Sequence, residues 1–295
     1  MSNVTRISLI GFGEVGQTLA ADLLARDQCS VCAWDIQFSE GLSIPSRGLR
    51  DIKVRQATDP RDAVAQADLI ISAVTAAEDM KAARSVASHI EPDSYFLDVN
   101  SVSPGMKKQV AQMIAAAGGR YVEAAIMSPI SPRHIASPIF LGGPHAADFL
   151  PLARQLGFAG AEVFSAEIGR ASAAKMCRSV IVKGMEALLA ESLLTARHYG
   201  VEASVLDSLS GFMSTDNWPA MSRYMISRSL IHGRRRAEEM REVVRTVEEA
   251  GLNACMSAAC AQRQDWAADY GSAVAQENLD GMLDAILSAA LREKQ

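Results

Sequence analysis

The sequence lacks the features that mark membrane, secreted and nucleic-acid-binding proteins. It has no apolar run near the roughly 18 residues that a membrane span requires, and Met1–Arg6 shows no apolar signal region. Basic residues do not outnumber acidic ones: the formal net charge is −5 over 295 residues. This balance argues against holding nucleic acid or an anionic membrane surface by charge. We therefore expect a soluble cytoplasmic protein with neither kind of partner.

Cysteine is scarce, and patterns of metal ligands are missing. The five cysteines are an odd set without the spacing of a disulfide framework. Cys29 and Cys32 are spaced as C-x-x-C but have no second pair, so we interpret them as residues of a buried strand. His134 and His145 have no cysteine or carboxylate at a ligand spacing. We expect no bound metal.

The most informative segment is an apolar strand that runs into a glycine-rich turn. The turn has the pattern G-x-G-x-x-G, and a helical pattern follows it. The three glycines allow a tight turn, close approach of the backbone to a pyrophosphate, and close packing of the helix on the strand. The unpaired N–H groups of the first helical turn would then face the anion. The sequence predicts a dinucleotide site formed by Gly11, Phe12, Gly13, Glu14, Val15 and Gly16.

A second apolar strand, Ser30–Trp34, ends at an acidic residue. Asp35 follows the glycines by about 20 residues, where a carboxylate can accept both hydroxyls of the adenosine ribose. The same carboxylate would repel a 2′-phosphate, which favours NAD over NADP. Arg47 and Arg50 lie downstream and would reverse this preference if they reached that phosphate. NAD is the expected cofactor, and NADP stays open.

Strands and helices alternate through the first half of the chain. Apolar strands at 67–74, 95–99 and 121–126 are separated by helical stretches near 79–90 and 104–117. This alternation predicts an α/β fold with a doubly wound, Rossmann-type parallel sheet. Ligands bind such sheets at the carboxyl ends of the strands. From that edge we assign Val74, Thr75 and Asn100 to the cofactor, and Ser101, Met127 and Ser128 to the substrate.

The second half of the chain is predicted to be all-helical. No proline interrupts 171–196, which predicts a long helix joining two domains. Helix breaks are expected near Gly200, Gly211, Pro219, Gly233, Gly251 and Gly271. The expected domains are a dinucleotide-binding domain at 1–166 and an all-α domain at 167–295 for substrate binding and dimerisation. Because this half is rich in alanine, leucine and methionine, we expect its core to be completed in a homodimer.

Three polar residues share one face of the long predicted helix. Arg178 and Ser179 follow Lys175 by three and four residues. A lysine beside the nicotinamide can exchange a proton with a hydroxyl or carbonyl oxygen, and burial near a positive charge disfavours its protonated form. The planar fork of Arg178 suits a carboxylate or phosphate. By spacing alone, a solvated helix face is the favoured interpretation, because a lysine and an arginine on a helix face usually point to solvent. The catalytic interpretation is a hypothesis at this point.

Three segments resemble the β-hydroxyacid dehydrogenase superfamily, which includes 3-hydroxyisobutyrate and 6-phosphogluconate dehydrogenases. They are Gly11–Gly16, Asp98–Pro104 and Gly169–Lys175. The resemblance implies a Rossmann domain joined by a long helix to an all-α domain, usually in a dimer. It also implies Lys175 as the general acid/base and Ser101 near the substrate and nicotinamide. The implied activity is NAD(P)-dependent hydride transfer involving a small anionic β-hydroxy acid or the matching oxo acid.

Two stretches depart from that superfamily. Glu123–Pro129 stands where the superfamily has its glycine-rich substrate loop, and Arg178 and Ser179 stand where it commonly has Asn or His and then Asn. With His232–Met240, these features look like a less characterised branch with its own C-terminal helical domain. They leave the substrate open.

Two other functions fit the same sequence. One is an NADPH-dependent imine reductase, which shares the layout but typically has another residue in place of Lys175. The other is a nucleotide-sensing binding protein without catalysis, which the altered substrate loop favours. The cluster Arg234–Arg236 likewise has two interpretations, as a solvated helix face near Glu238 and Glu239 or as a contact to an anionic substrate.

Overall fold

The chain folds into two compact units. The computed structural model describes residues 6–26, 29–209 and 217–292. Unit 1 is Met1–Val180 and unit 2 is Ile181–Gln295. Within the described residues, no helix combines the length and apolar character needed to cross a membrane.

Unit 1 is an α/β structure. Its strands are β1 (Arg6–Ile10), β2 (Ser30–Trp34), β3 (Arg55–Gln56), β4 (Leu69–Ser72), β5 (Tyr95–Asp98), β6 (Arg120–Ile126), β7 (Ile139–Gly142) and β8 (Ala161–Ser165). Its helices are α1 (Glu14–Leu24), α2 (Ile44–Asp51), α3 (Pro60–Val64), α4 (Asp79–Ala87), α5 (Pro104–Ala116) and α6 (Ala146–Gln155). The long helix α7 (Arg170–His198) begins in unit 1.

The strands form one eight-stranded sheet in the order β3-β2-β1-β4-β5-β6-β7-β8. Pairing is parallel from β3 across to β6, which confirms the predicted Rossmann-type fold. β7 departs from this pattern because it pairs antiparallel with β6. Between these two strands the chain forms only a 3-10 turn, His134–Ala136. Parallel neighbours are usually joined through a crossover helix. The described connection from β6 to β7 has no such helix, in keeping with the antiparallel pairing of these two strands.

The sheet is covered on both faces. Leu69 and Ile71 belong to one buried apolar cluster, and Ile70 between them belongs to another. Because side chains alternate along a strand, the two clusters lie on opposite faces. Burial on both faces explains why the central strands read as continuous apolar runs.

Unit 2 is helical. After the end of α7 it contains α8 (Glu202–Ser208), α9 (Trp218–Glu249), α10 (Cys255–Ala268) and α11 (Leu279–Arg292). Leu230, Tyr270 and Met282 pack together in a small buried core. Arg234 of α9 pairs with Asp265 of α10 and with Asp269, the residue that follows α10. This member of the arginine cluster therefore joins two helices.

The predicted helix break near Gly233 is wrong. Gly233 lies inside α9, and a Cβ there would stand 2.3 Å from the carbonyl oxygen of Gln264 and 3.0 Å from the Cβ of Ala268. The glycine lets α9 and α10 pack closely and does not end the helix. The break predicted near Gly211 falls outside the described residues.

Candidate functional site

The glycine turn after β1 has the geometry that its sequence predicts. Gly11 has φ +98°, and a Cβ there would lie 2.3 Å from the carbonyl oxygen of Ala73. A Cβ on Gly16 would lie 2.3 Å from the carbonyl oxygen of Gly11. Both positions exclude any side chain because backbone passes directly over them. They bring β1, the turn and α1 together.

Gly13 is different because its missing side chain faces open space. A Cβ there would have nothing within 4 Å. Gly13 is also the N-cap of α1 and provides no side-chain cap. The first N–H groups of a helix lack intrahelical partners. The start of α1 is therefore open to an anionic ligand.

Asp35 joins the end of β2 to the glycine turn. Its Oδ2 accepts the N–H of Phe12 at 2.7 Å, and its Oδ1 accepts the N–H of Gln37 at 2.9 Å. Each oxygen can accept a second bond, so the carboxylate retains capacity for ribose hydroxyls. The side chain of Phe12 is fully buried against Phe38.

A cavity of about 640 Å³ opens at the carboxyl ends of β1, β2, β4 and β5. It spans the point where the strand order reverses, which is where doubly wound sheets bind ligands. Predicted residues on its wall are Gly11, Gly13, Glu14, Val15, Asp35, Val74, Thr75, Asn100 and Ser101. Trp34, Ile36, Ile44 and Lys81 also line it, and sequence patterns did not single them out.

Asn100 is held by hydrogen bonds within the protein. Its Oδ1 accepts the N–H of Val74 at 2.7 Å. Its Nδ2 donates to Ser72 Oγ at 2.8 Å and to Asp79 Oδ1 at 2.7 Å. Both amide hydrogens are thus used. The side chain ties the connection after β4 to the connection after β5.

Asp98, beneath Asn100, is fully paired. Its Oδ1 lies 2.8 Å from Lys107 Nζ and accepts the N–H of Asn100 at 3.0 Å, and its Oδ2 accepts the hydroxyl of Tyr121 at 2.8 Å. Burial and the negative charge of Asp98 raise the pKa of Tyr121 well above 10. We call the set Ser72, Asp79, Asp98, Asn100, Lys107 and Tyr121 the polar cluster.

Asp79 is the least satisfied member of the polar cluster. The residue is fully buried. Its Oδ1 accepts one hydrogen bond from Asn100, whereas Oδ2 has no hydrogen-bond partner among the described residues. Burial raises the pKa of Asp79 to about 6, and the charge of Asp98 adds to the rise against the opposing effects of Lys107 and Asn100. A carboxyl group with this pKa changes charge near neutral pH.

The start of α7 is fixed to the sheet by a buried carboxylate. Glu123 in β6 accepts the N–H groups of Gly169 and Ser172, each at 2.6 Å. Gly169 has φ +98°, and a Cβ there would stand 3.1 Å from the Cβ of Pro104 at the start of α5. The helix that carries Lys175 therefore begins beside the connection that follows β5.

The remaining predicted substrate residues lie on two segments. Lys175 and Ser179 are half-buried on α7, and Arg178 is exposed. Met127 and Ser128 follow β6, where the N–H of Met127 donates to the carbonyl of Pro138 at 2.8 Å. In the part of the chain that the structure describes, no group of histidine, cysteine and carboxylate side chains is placed to hold a metal ion.

The donors and acceptors of this cavity fit a dinucleotide. The open face of Gly13 and the uncapped start of α1 suit a pyrophosphate, and Asp35 suits a ribose. Trp34 and Ile36 add apolar surface on the β2 side. The cavity volume lies within the usual range for cofactor sites.

Two families match this sequence. Residues 6–166 match the NAD binding domain of 6-phosphogluconate dehydrogenase. Residues 196–267 match a family described as a domain of unknown function, DUF1932.

Three similar proteins extend this comparison. A solved conserved protein of unknown function, reported as similar to 3-hydroxyacid dehydrogenases, is 33% identical, with a TM-score of 0.56 over 90% of this chain and 97% of the other. The 2-(hydroxymethyl)glutarate dehydrogenase of Eubacterium barkeri is 23% identical over 72% of this chain and 70% of its own. An imine reductase of Streptomyces aurantiacus is 17% identical, with a TM-score of 0.70 over 95% and 99%, and this likeness concerns the fold.

Proposed function

Because the chain belongs to the family of the NAD binding domain of 6-phosphogluconate dehydrogenase, we propose that it transfers hydride between a nicotinamide dinucleotide and a small β-hydroxy acid. Family membership makes the protein an NAD(P)-dependent oxidoreductase. The proposal adds the substrate class and the residues that act on it. It assigns proton transfer to Lys175 and recognition of the substrate anion to Arg178, Ser179, Ser101, Met127 and Ser128.

The proposed chemistry is a coupled transfer of hydride and proton. The bound dinucleotide supplies C4 of its nicotinamide as hydride acceptor or donor. In the oxidative direction, neutral Lys175 takes the hydroxyl proton on Nζ as the carbinol C–H bond breaks, and the carbon becomes a carbonyl. In the reductive direction the ammonium returns that proton to the carbonyl oxygen.

The two hydrogen bonds that Glu123 accepts at the start of α7 are the observation that carries this proposal. Lys175 lies six residues beyond Gly169, which corresponds to about 9 Å along a helix. Glu123 holds Gly169 and Ser172 to the sheet, and Gly169 lies against Pro104, three residues beyond Ser101. A rigid helix start beside the β5 connection suits a residue that must hold its position relative to a bound ligand.

Lys175→Ala is the direct test. We expect kcat/KM for the best β-hydroxy acid to fall by about 10² to 10⁴-fold, as expected for loss of a general acid/base. Binding of NADH should be retained, and the change in tryptophan fluorescence reports it because Trp34 lies on the cavity wall. Lys53→Ala, which removes an exposed lysine of the same unit, is the matched control.

Other outcomes of the same assay identify the competing functions. Unchanged turnover in Lys175→Ala would exclude the proton-transfer role. Turnover of cyclic imines that persists in this variant would favour an imine reductase. Tight NADH binding with no turnover of any hydroxy acid or imine would favour a nucleotide-binding protein without catalysis.

We also propose that NAD is preferred over NADP. Asp35 lies on the cavity wall with free acceptor capacity, and a carboxylate there repels a 2′-phosphate. Arg50 donates to the carbonyl of Gly41 at 3.3 Å. This hydrogen bond holds the Arg50 guanidinium against the loop before α2, which does not favour its use for a 2′-phosphate. Tighter binding of NADPH than NADH would contradict this assignment.

The proposed assembly is a homodimer formed through unit 2. Large apolar side chains on α9 and α11 are exposed in the single chain, among them Tyr224, Ile231 and Leu287. Apolar surface of this kind is typical of subunit interfaces.

A further inference from the structure

The polar cluster contains a carboxyl group that the proposed hydride transfer does not use. Asp79 is fully buried, and its Oδ1 accepts a hydrogen bond from the amide of Asn100, which lies on the cavity wall. An asparagine at this position would also accept that hydrogen bond. Unlike asparagine, a carboxyl group can carry a negative charge, and protonation removes that charge.

The surroundings single out Asp79 as the group that gains or loses this proton. The polar cluster contains two carboxyl groups and one ammonium. Asp98 forms an ion pair with the ammonium of Lys107 and accepts hydrogen bonds from the hydroxyl of Tyr121 and the N–H of Asn100. Asp79 has one amide hydrogen on Oδ1, and its Oδ2 has no hydrogen-bond partner within the described residues. Burial with so few partners favours the neutral acid.

The groups that face Asp79 come from three neighbouring strands and one helix. Asp98 at the end of β5, Asn100 after it, Lys107 on α5 and Tyr121 on β6 interact with Asp79. Ser72 at the end of β4 shares the amide of Asn100 with it. Among these, Asp98 raises the pKa of Asp79, whereas Lys107 and Asn100 lower it. Glu123 on β6 raises the pKa of Tyr121 and is the next carboxylate along that strand.

Asp79 follows β4, in the half of the sheet that would face the nicotinamide side of a bound dinucleotide. In a sheet of order 3-2-1-4-5-6, the β1–β3 half binds the adenosine side and the β4–β6 half binds the nicotinamide side. Asn100, Val74 and Ser101 form the wall on the β4–β5 side. The oxidised nicotinamide carries a positive charge that the reduced form lacks. A buried anion on this side therefore favours the oxidised form over the reduced form by direct Coulomb attraction.

We propose that Asp79 is a positioning residue for the cofactor, holding Asn100 in place, and that its charge sets the preference of the pocket between the oxidised and reduced dinucleotide. When Asp79 is protonated, the pocket favours the reduced form. When Asp79 is ionised, the preference moves toward the oxidised form. The proposal rests on cofactor binding alone, so it stands or falls independently of Lys175 and of the substrate.

Equilibrium binding of the full-length protein tests this directly. The dissociation constants of NAD⁺ and NADH are measured from pH 5 to pH 8 by the change in tryptophan fluorescence, because Trp34 lies on the cavity wall. We expect the ratio Kd(NAD⁺)/Kd(NADH) to fall about threefold to tenfold as the pH rises, the size expected for unit charges about 12 to 25 Å apart at an effective dielectric of about 20. A ratio that does not change with pH overturns the proposal.

Two variants separate charge from structure. Asp79→Asn keeps an acceptor for Asn100 and stays neutral. Its ratio Kd(NAD⁺)/Kd(NADH) should therefore remain at the low-pH value of the wild type from pH 5 to pH 8. Asp93→Asn removes an exposed carboxylate that pairs with Arg120 on the surface and should follow the wild type. A pH dependence in Asp79→Asn equal to that of the wild type overturns the proposal.

A measurement on the wild type alone covers the case in which Asp79→Asn does not fold. Binding is followed by calorimetry near pH 6 in two buffers of different ionisation enthalpy, which gives the number of protons taken up. NADH should take up more protons on binding than NAD⁺ does. Equal proton uptake for the two forms contradicts the proposal, whatever the activity of the enzyme.

Discussion

Gly11 and Gly13 lie two residues apart in the same turn and have different surroundings. A methyl group on Gly11 meets a carbonyl oxygen at 2.3 Å and requires a side chain at φ +98°, whereas one on Gly13 meets open space. Gly11→Ala should therefore lower the free energy of unfolding by about 3 kcal/mol or more. Thermal unfolding measures this, and a melting temperature equal to that of the wild type would contradict it.

Gly13→Ala is the matched substitution in the binding region. It should lower the free energy of unfolding by only about 1 kcal/mol, because the φ of −75° at Gly13 suits alanine and only the preference of an N-cap for glycine over alanine is lost. The added methyl group fills room that the pyrophosphate needs, which should weaken NADH binding about 10 to 100-fold. Wild-type affinity in this variant would place the phosphates elsewhere.

The raised pKa of Asp79 predicts an unusual dependence of stability on pH. Its pKa of about 6 exceeds the ordinary value of 3.8. The folded state therefore binds this proton more tightly than the unfolded state does, and stability falls as the pH rises from about 4 to above 6. At pH 8, Asp79→Asn should be more stable than the wild type by at most about 3 kcal/mol. Urea unfolding at pH 4 and pH 8 tests this, because the advantage should disappear at pH 4.

The sequence revealed the residues whose role depends on local order along the chain. The glycines and Asp35 follow a fixed spacing, and the structure places Gly11, Gly13 and Asp35 together on one cavity wall. Asp79 and Lys107 gave no such signal. Asp79 opens one helix and Lys107 lies on another, and only the packing of both beside β5 makes them partners of Asn100 and Asp98.

At the scale of elements, one strand residue holds the start of the long helix α7. Glu123 is buried and accepts two N–H groups at the N-terminus of α7, where a negative charge is also favoured by the helix dipole. Glu123→Gln replaces one acceptor oxygen by an amide donor. We expect a loss of about 1 to 3 kcal/mol in unfolding free energy and faster hydrogen exchange at Gly169 and Ser172.

Glu162→Gln provides the comparison for this prediction. Glu162 is exposed on β8, and its change should leave both stability and exchange at the α7 start unchanged. If Glu123→Gln behaved in the same way, the carboxylate would not be what fixes the helix to the sheet.

Periodicity predicted the elements that are long or fully buried and missed those that are short or at an edge. The parallel strands β1, β2, β4, β5 and β6 read as apolar runs because both of their faces are covered. β3 has two residues, and β8 is exposed along most of its length, so neither shows such a run. Gly233 misled the prediction because the sequence shows the missing side chain but not the helix α10 that packs against it.

At the scale of the whole molecule, unit 2 has much apolar surface exposed in the single chain. On α11, Leu283, Leu287 and Leu291 are spaced four residues apart and are 44%, 58% and 55% exposed. This spacing aligns them on one helix face. We predict that this face contributes to a homodimer, because a row of exposed leucines is stabilised when a second copy covers it.

Leu287→Glu tests the dimer by placing a charge in the middle of that row. Light scattering after size exclusion should give twice the chain mass for the wild type and a concentration-dependent shift toward one chain for the variant, because an unpaired charge is costly to bury. Leu42→Glu, at an 87% exposed leucine of unit 1, should retain the wild-type mass. A wild-type protein with the mass of a single chain would exclude the dimer, and an unchanged dimer in Leu287→Glu would place its interface away from α11.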